Sequence, residues 1–222
     1  WIRYQTAIAK IEAENLATLV RAYGDFSQGK NRLLLAFRHP SINDPLCMGY
    51  LFWNLLPPAL KKGALQPPPL SHSHFMYDRG IPLWGGDFLQ WLFPRLGGTS
   101  IQRGKLDRPG LRSARDLMLN GQYPLAAAPE GATNGHNELI SPLEPGIAQL
   151  GFWCAEDLCK AQRQEETLIL PVGIQYFYLT PPWREIENLL SQLENDCGIA
   201  PTTDHCFGDA TLYERLYILG AE

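Results

Sequence analysis

Leu33-Leu34-Leu35-Ala36-Phe37, running straight into Arg38-His39-Pro40-Ser41-Ile42-Asn43-Asp44-Pro45, is the stretch that decides the fold. A short apolar run closed by polar and proline punctuation has the length and composition of a buried strand. Pro40 disfavours helical dihedrals at the residue before it, so His39 is expected at the strand's end. Asp44-Pro45 then reads as the N-cap and first residue of an apolar helix over about 45–56. A strand–turn–helix corner can fold the aspartate back onto the imidazole, which a continuous helix would not do at this spacing. A histidine held by a carboxylate at a strand's carboxyl end has the attributes of a general base. The competing reading is plain: an H-x4-D match arises by chance, with Asp44 a simple cap and His39 a satisfied polar group.

The rest of the chain weighs between the two. With 222 residues it can bury one substantial α/β core, and six tryptophans among 45% hydrophobic residues exclude disorder. A net charge of −4 argues against general nucleic-acid binding. Five cysteines (47, 154, 159, 197, 206) fit no zinc ribbon or disulfide framework and read as reduced packing thiols of a cytosolic protein. Cys206 beside His205 lacks a fourth ligand at workable spacing, so no metal is expected. No signal peptide is visible, and no apolar run approaches the ~20 residues of a membrane span. The chain opens at Trp1 without a methionine and stops inside a helical pattern, which leaves open a longer parent protein.

Along the chain, strands alternate with helices. Residues 1–23 carry an amphipathic helix with Ile8, Ile11, Leu16, Leu19 and Val20 on its apolar side, ending before Gly24. After the helix at 45–56, Pro57-Pro58 and Gln66-Pro67-Pro68-Pro69 mark a loop. Short strands are expected at 73–77, at Gly97 to Arg103 and at Tyr123 to Ala128, with a helix from Pro109 to Asn120 between the last two. A helix near 145–162, a strand over 167–176 and two amphipathic helices at about 184–196 and 209–219 complete the pattern. The expectation is a single layered α/β domain over 1–222, a mixed central sheet flanked by helices, with C-terminal helices over about 184–222. The aromatic stretch 81–93 reads as core packing first and as a membrane-interface segment second. The basic run Arg103, Lys105, Arg108, Arg112 and Arg115 reads equally as a solvated helix face or as a surface for anionic lipid, coenzyme A or acyl carrier protein.

Polar or proline-marked signatures recur at four strand ends: His39/Asp44, Arg103, Glu130-Gly131 and Pro171-Val172. In open α/β sheets, sites gather at the carboxyl ends of strands. These four blocks, in this order over about residues 30–180, resemble the glycerolipid acyltransferase family, which includes 1-acylglycerol-3-phosphate acyltransferases. Its H-x4-D is matched by His39 and Asp44, and its glycine–apolar–arginine block by Gly97 through Arg103. Its F-P-E-G-T-R is matched in part by Ala128-Pro129-Glu130-Gly131, and its apolar-proline pair by Leu170-Pro171-Val172. Two positions depart: Arg38 stands where the family commonly has Asn, and Ala132-Thr133-Asn134-Gly135 carries no arginine. The second departure resembles lysophospholipid acyltransferases and bears on the acceptor's identity.

The resemblance implies a membrane-associated, cytoplasmic enzyme that moves a fatty acyl group from acyl-CoA or acyl carrier protein to a lysoglycerolipid hydroxyl. Lysophosphatidate comes first as acceptor and another lysophospholipid second. His39 would be the base, Asp44 its orienter, and Arg103 the ligand of an acceptor phosphate. Glu130 would organise neighbouring donors or an acceptor hydroxyl, Gly131 would allow close backbone approach, and Pro171 would shape the acyl-donor side. No covalent acyl-enzyme is expected, since no G-x-S-x-G elbow is present. No resident cofactor is implied. His136 and Asn137 are candidates for lining the same cleft. The alternatives are a lipid- or membrane-binding protein without turnover, and an acyl-thioester hydrolase.

Overall fold

The structure is a computed structural model describing residues 6–63, 68–104, 106–199 and 209–221. His205, Cys206, Lys105 and the first five residues of the expected N-terminal helix lie outside the described residues. The chain divides into two compact units, residues 1–175 and 176–222.

The first unit is a five-stranded sheet with helices on both faces. Its strands are β1 (Asn31–Phe37), β2 (His74–Asp78), β3 (Gly98–Ile101), β4 (Leu125–Ala127) and β5 (Glu166–Val172), in the order β3-β2-β4-β1-β5. Every described pairing is parallel, so the sheet is not mixed. The physical cause is that each strand returns to the same edge through helices, and such crossovers align strands in parallel.

Helix α1 (Leu16–Ser27) starts later and ends later than the amphipathic pattern suggests. Asn15 sits in the left-handed region at φ 52°, which stops the helix from extending toward Ile8 and Ile11. Gly24 is carried through because it is buried against the core. Beyond β1, α2 (Asp44–Tyr50) runs through a π-helical turn, Leu51–Leu55, into α3 (Leu56–Lys62). Pro57-Pro58 therefore lies inside helix and does not open a loop. The prolines fall in the first turn of α3, and the wider π turn ahead accommodates their missing N–H groups. The aromatic stretch folds as α4 (Ile81–Gly85) and α5 (Asp87–Arg95), followed by α6 (Arg108–Asn120) and α7 (Gly146–Lys160).

The period of two along β1 divides the core. Leu33, Leu35 and Phe37 pack with Leu19 and Tyr23 of α1 and with Phe52, Leu56 and Leu60. Leu34 points the other way, into Ala114 and Met118 of α6 and Leu150, Cys154 and Leu158 of α7. With both faces covered, the strand needs no polar alternation, which is why it reads as an unbroken apolar run. The chain leaving β1 enters α2 on the first face, and the chain leaving the adjacent β4 reaches α7 on the second. Their carboxyl ends thus form a switch point, the place in such sheets where the backbone opens a crevice.

The second unit consists of α8 (Trp183–Asp196) and α9 (Asp209–Ala221), joined by Arg215, which donates to both oxygens of Glu194 at 2.8 Å.

Candidate functional site

His39 stands just beyond β1, its ring edge-on to Phe37 with centroids 5.9 Å apart. Nδ1 lies 2.9 Å from Asp44 Oδ2, and the same oxygen accepts the Ser41 backbone N–H at 2.8 Å. Asn43, not Asp44, is the N-cap, and the helix start has no side-chain cap. The Asp44 carboxylate is turned back over the corner instead, fully buried, while the imidazole is 21% exposed. Because the carboxylate accepts, the proton sits on Nδ1 and the Nε2 lone pair is free. Nε2 has no hydrogen-bond partner among the described residues.

Beneath the corner lies Glu130, contributed by the turn after β4. Its Oε1 accepts the His39 backbone N–H at 3.0 Å and Arg38 Nε at 3.4 Å. Its Oε2 accepts the Ser141 N–H at 2.9 Å and Asn134 Nδ2 at 3.0 Å. Burial pushes this carboxyl up, but the His39 and Ser141 N–H groups and the Arg38 guanidinium outweigh burial and hold it below the usual range. Both oxygens being engaged, Glu130 organises donors around the histidine's backbone.

Arg38 extends the same network. Its guanidinium donates to the carbonyls of Asn137, His136 (3.1 Å) and Leu139 (2.7 Å). Gly135 N–H reaches Pro40 O at 3.1 Å. The loop from Gly131 to Leu143 is thereby sewn to the H-x4-D corner, with His136 and Asn137 joined through backbone carbonyls. Arg38 and Asn134, which the sequence reading noted only as departures from the resembled pattern, and Ser141, which it did not note, hold this network together. Arg38 had one available signal: a cation directly before the histidine, where the resembled family has an amide.

Arg103 lies in the turn after β3. A Cβ built on Gly131 would come 3.3 Å from Arg103 Nη2 and would collide with the Glu144 carboxylate. Gly131 also sits at φ +71°, so both backbone conformation and space demand glycine there. Arg103 Nη2 keeps only a loose 3.9 Å pairing with Glu144 and remains partly exposed. Pro171 belongs to edge strand β5, opposite Ala36, where a missing N–H is tolerated. Paired residues of parallel strands share a face, so Pro171 points away from the Phe37–His39 row. The structure thus joins His39, Asp44 and Glu130, sets Arg103 beside Gly131, and leaves Pro171 on the other face.

The basic run divides. Arg115 is bound at 2.6 Å to each oxygen of Asp157 and lies over Trp153, so it ties α6 to α7. Arg103, Arg108 and Arg112 are exposed. The aromatic stretch divides too: Phe93 packs on Phe75 and Tyr77, whereas Phe88 and Trp91 stack on each other in the open. Among the described residues, no cluster of three or more His, Cys, Asp or Glu side chains is arranged to hold a metal ion. No described helix is long and apolar enough to cross a membrane. Comparison with protein-family models, with curated proteins and with solved structures finds no match.

Proposed function

We propose that this chain is a glycerolipid O-acyltransferase, using an acyl-CoA or acyl carrier protein thioester and a lysoglycerolipid acceptor, 1-acylglycerol-3-phosphate first. The observation that carries the reading is the 2.9 Å contact between His39 Nδ1 and the buried Asp44 carboxylate, with Nε2 left open at the carboxyl end of β1. In this orientation Nε2 takes the acceptor's hydroxyl proton as its oxygen attacks the thioester carbonyl. The tetrahedral adduct collapses, the C–S bond breaks, and the thiolate recovers the proton from the imidazolium, leaving an ester and a free thiol. Asp44 holds the tautomer and offsets the positive charge that develops on the ring.

Arg103 supplies a forked cation suited to an acceptor phosphate, in the turn beside Gly131. Glu144 is its present loose partner, and a phosphate monoester, with three terminal oxygens and nearly twice the charge, would compete with it favourably. On this reading the enzyme works peripherally at a membrane surface, where its acceptor resides.

The test is thiol release from long-chain acyl-CoA, with and without lysophosphatidate in mixed micelles, on the wild-type chain and His39→Ala. Acceptor-dependent release lost in the variant is the expected result. Release indifferent to acceptor would replace the transferase with a hydrolase using the same base. Absence of release from acyl-CoA, and from an acyl carrier protein thioester assayed in the same way, would sink the reading in favour of a binding protein.

A further inference from the structure

The segments that follow the strands at the sheet's carboxyl edge carry bare aliphatic side chains. Ile42 follows β1, Leu83 follows β2, Leu106 follows β3, and Leu139, Ile140 and Leu143 follow β4. Their exposure runs from 61% at Leu143 to 91% at Leu83. Scattered exposed leucines are ordinary on protein surfaces, but here three loops and the short helix α4 each place at least one at the same edge, where His39 stands.

The segment after β4 is held in place. The Leu139 carbonyl accepts from both Arg38 and Asn134 (2.7 and 2.8 Å), and the Ser141 N–H is fixed by Glu130. The network that positions the histidine therefore also presents Leu139, Ile140 and Leu143 outward. The charges on these segments and the helix starts beside them nearly cancel: exposed Arg79, Arg103 and Arg108 are matched by exposed Asp87, Glu138 and Glu144 among the described residues, and the sequence adds Lys105.

We infer that this edge is a bilayer-docking face, whose aliphatic loop tips enter the headgroup–acyl boundary and hold His39 over the lipid surface. The inference rests on the function proposed above, because a lysoglycerolipid would then present its hydroxyl to Nε2 from the plane in which it already lies. Separate tips with polar residues between them suit a fluid interface, which conforms to them, better than a protein partner, which would need a matching surface. With charge this near to balance the attraction is chiefly apolar, so it needs no anionic lipid and tolerates salt.

The test is co-sedimentation of the full chain with phosphatidylcholine vesicles at low and high salt. Four variants accompany it: the double variant Leu139→Glu/Leu143→Glu, Leu106→Glu on another loop, Phe152→Glu on α7 as a control, and His39→Ala. The wild type, the control and His39→Ala are expected to sediment at both salt concentrations. The double variant should lose at least roughly tenfold in partitioning while melting as the wild type does, and Leu106→Glu should lose less. Binding that requires anionic vesicles and disappears in salt would overturn the inference. So would undiminished binding by both loop variants, or a self-association that the loop substitutions abolish in its place. Vesicle binding without acyl transfer would remove the proposed function and leave the docking face standing. Transfer to a dispersed acceptor by a chain that ignores vesicles would do the reverse.

Discussion

The two ends of the sheet both carry histidines, and they use them differently. At the amino end, His72 Nε2 meets Leu96 O at 2.7 Å and its ring stacks on Trp53. The buried Tyr23 hydroxyl donates to the His72 carbonyl and accepts its N–H, both at 3.0 Å, and burial pushes that phenol up to about 12. His74 Nδ1 lies 3.1 Å from Gly97 O, and its buried Nε2 has no hydrogen-bond partner among the described residues. Burial, chiefly, pushes the His74 imidazole down. Arg32 completes this end by donating to Met118 O and Gly121 O at the close of α6, a stabilising place for a cation. At the carboxyl end the imidazole has a buried carboxylate on one nitrogen and open space at the other. Carbonyl partners and ring stacking make a histidine a packing element. A carboxylate behind it and exposure in front give it the attributes of a base, the role proposed for His39.

The largest test of that contrast is Asp44→Asn. An amide facing Nδ1 permits the opposite tautomer and closes Nε2 to proton uptake, so turnover should fall by ~10³ or more with little change in melting temperature. His74→Leu should leave turnover unchanged. Equal losses in the two variants, measured in one thiol-release assay, would erase the distinction between the ends.

Next comes Glu130→Gln. Replacing a fully engaged carboxylate should cost roughly 1–3 kcal/mol at neutral pH, by thermal or urea unfolding. The carboxyl's folded-state value is depressed, so its stabilisation is complete above the unfolded range near ~4.3 and is lost as pH falls through the folded value. The gap between wild type and variant should therefore narrow in acid. A gap constant down to strongly acidic pH would show that charge is not what Glu130 contributes.

A smaller effect is expected for Gly131→Ala. The left-handed backbone alone should cost roughly 1–2 kcal/mol. The added methyl also displaces Glu144 and crowds Arg103, so KM for a phosphate-bearing acceptor should rise more than kcat falls. A pure stability loss with unchanged KM would detach Arg103 from the acceptor.

The smallest effect belongs to the acid side of His74. Its depressed imidazole resists a proton that the unfolded chain takes up below ~6.5, so this site removes stability as pH falls through that range. The melting curve of His74→Leu should lack that component between neutral and mildly acid pH.

Local rules were enough for β1 and its corner. An apolar run, a proline after histidine and an aspartate before proline are short-range signals, and each constrains backbone that the chain itself supplies. The sequence reading therefore found the strand, His39 at its end and Asp44 within reach. It misplaced the helix around Pro57-Pro58 because tertiary packing of Phe52, Leu56 and Leu60 carries the chain through residues that on their own argue for a loop. Arg38 was read only as a departure from the resembled pattern, because its meaning lies in partners up to 101 residues away in sequence. Arg115 read as one charge in a basic run, and only the approach of α7 shows it bound to Asp157.

By itself, then, the sequence determined the α/β layering, the position of β1 and the pairing of His39 with Asp44, since these follow from hydrophobic period and local backbone restriction. Tertiary structure alone decided that all strands run parallel, that Glu130 lies beneath the histidine's backbone, and that Arg103 stands beside Gly131. Those facts depend on which strands become neighbours, and strand order is fixed by the burial of two helical layers, not by any residue read next to its neighbours in the chain.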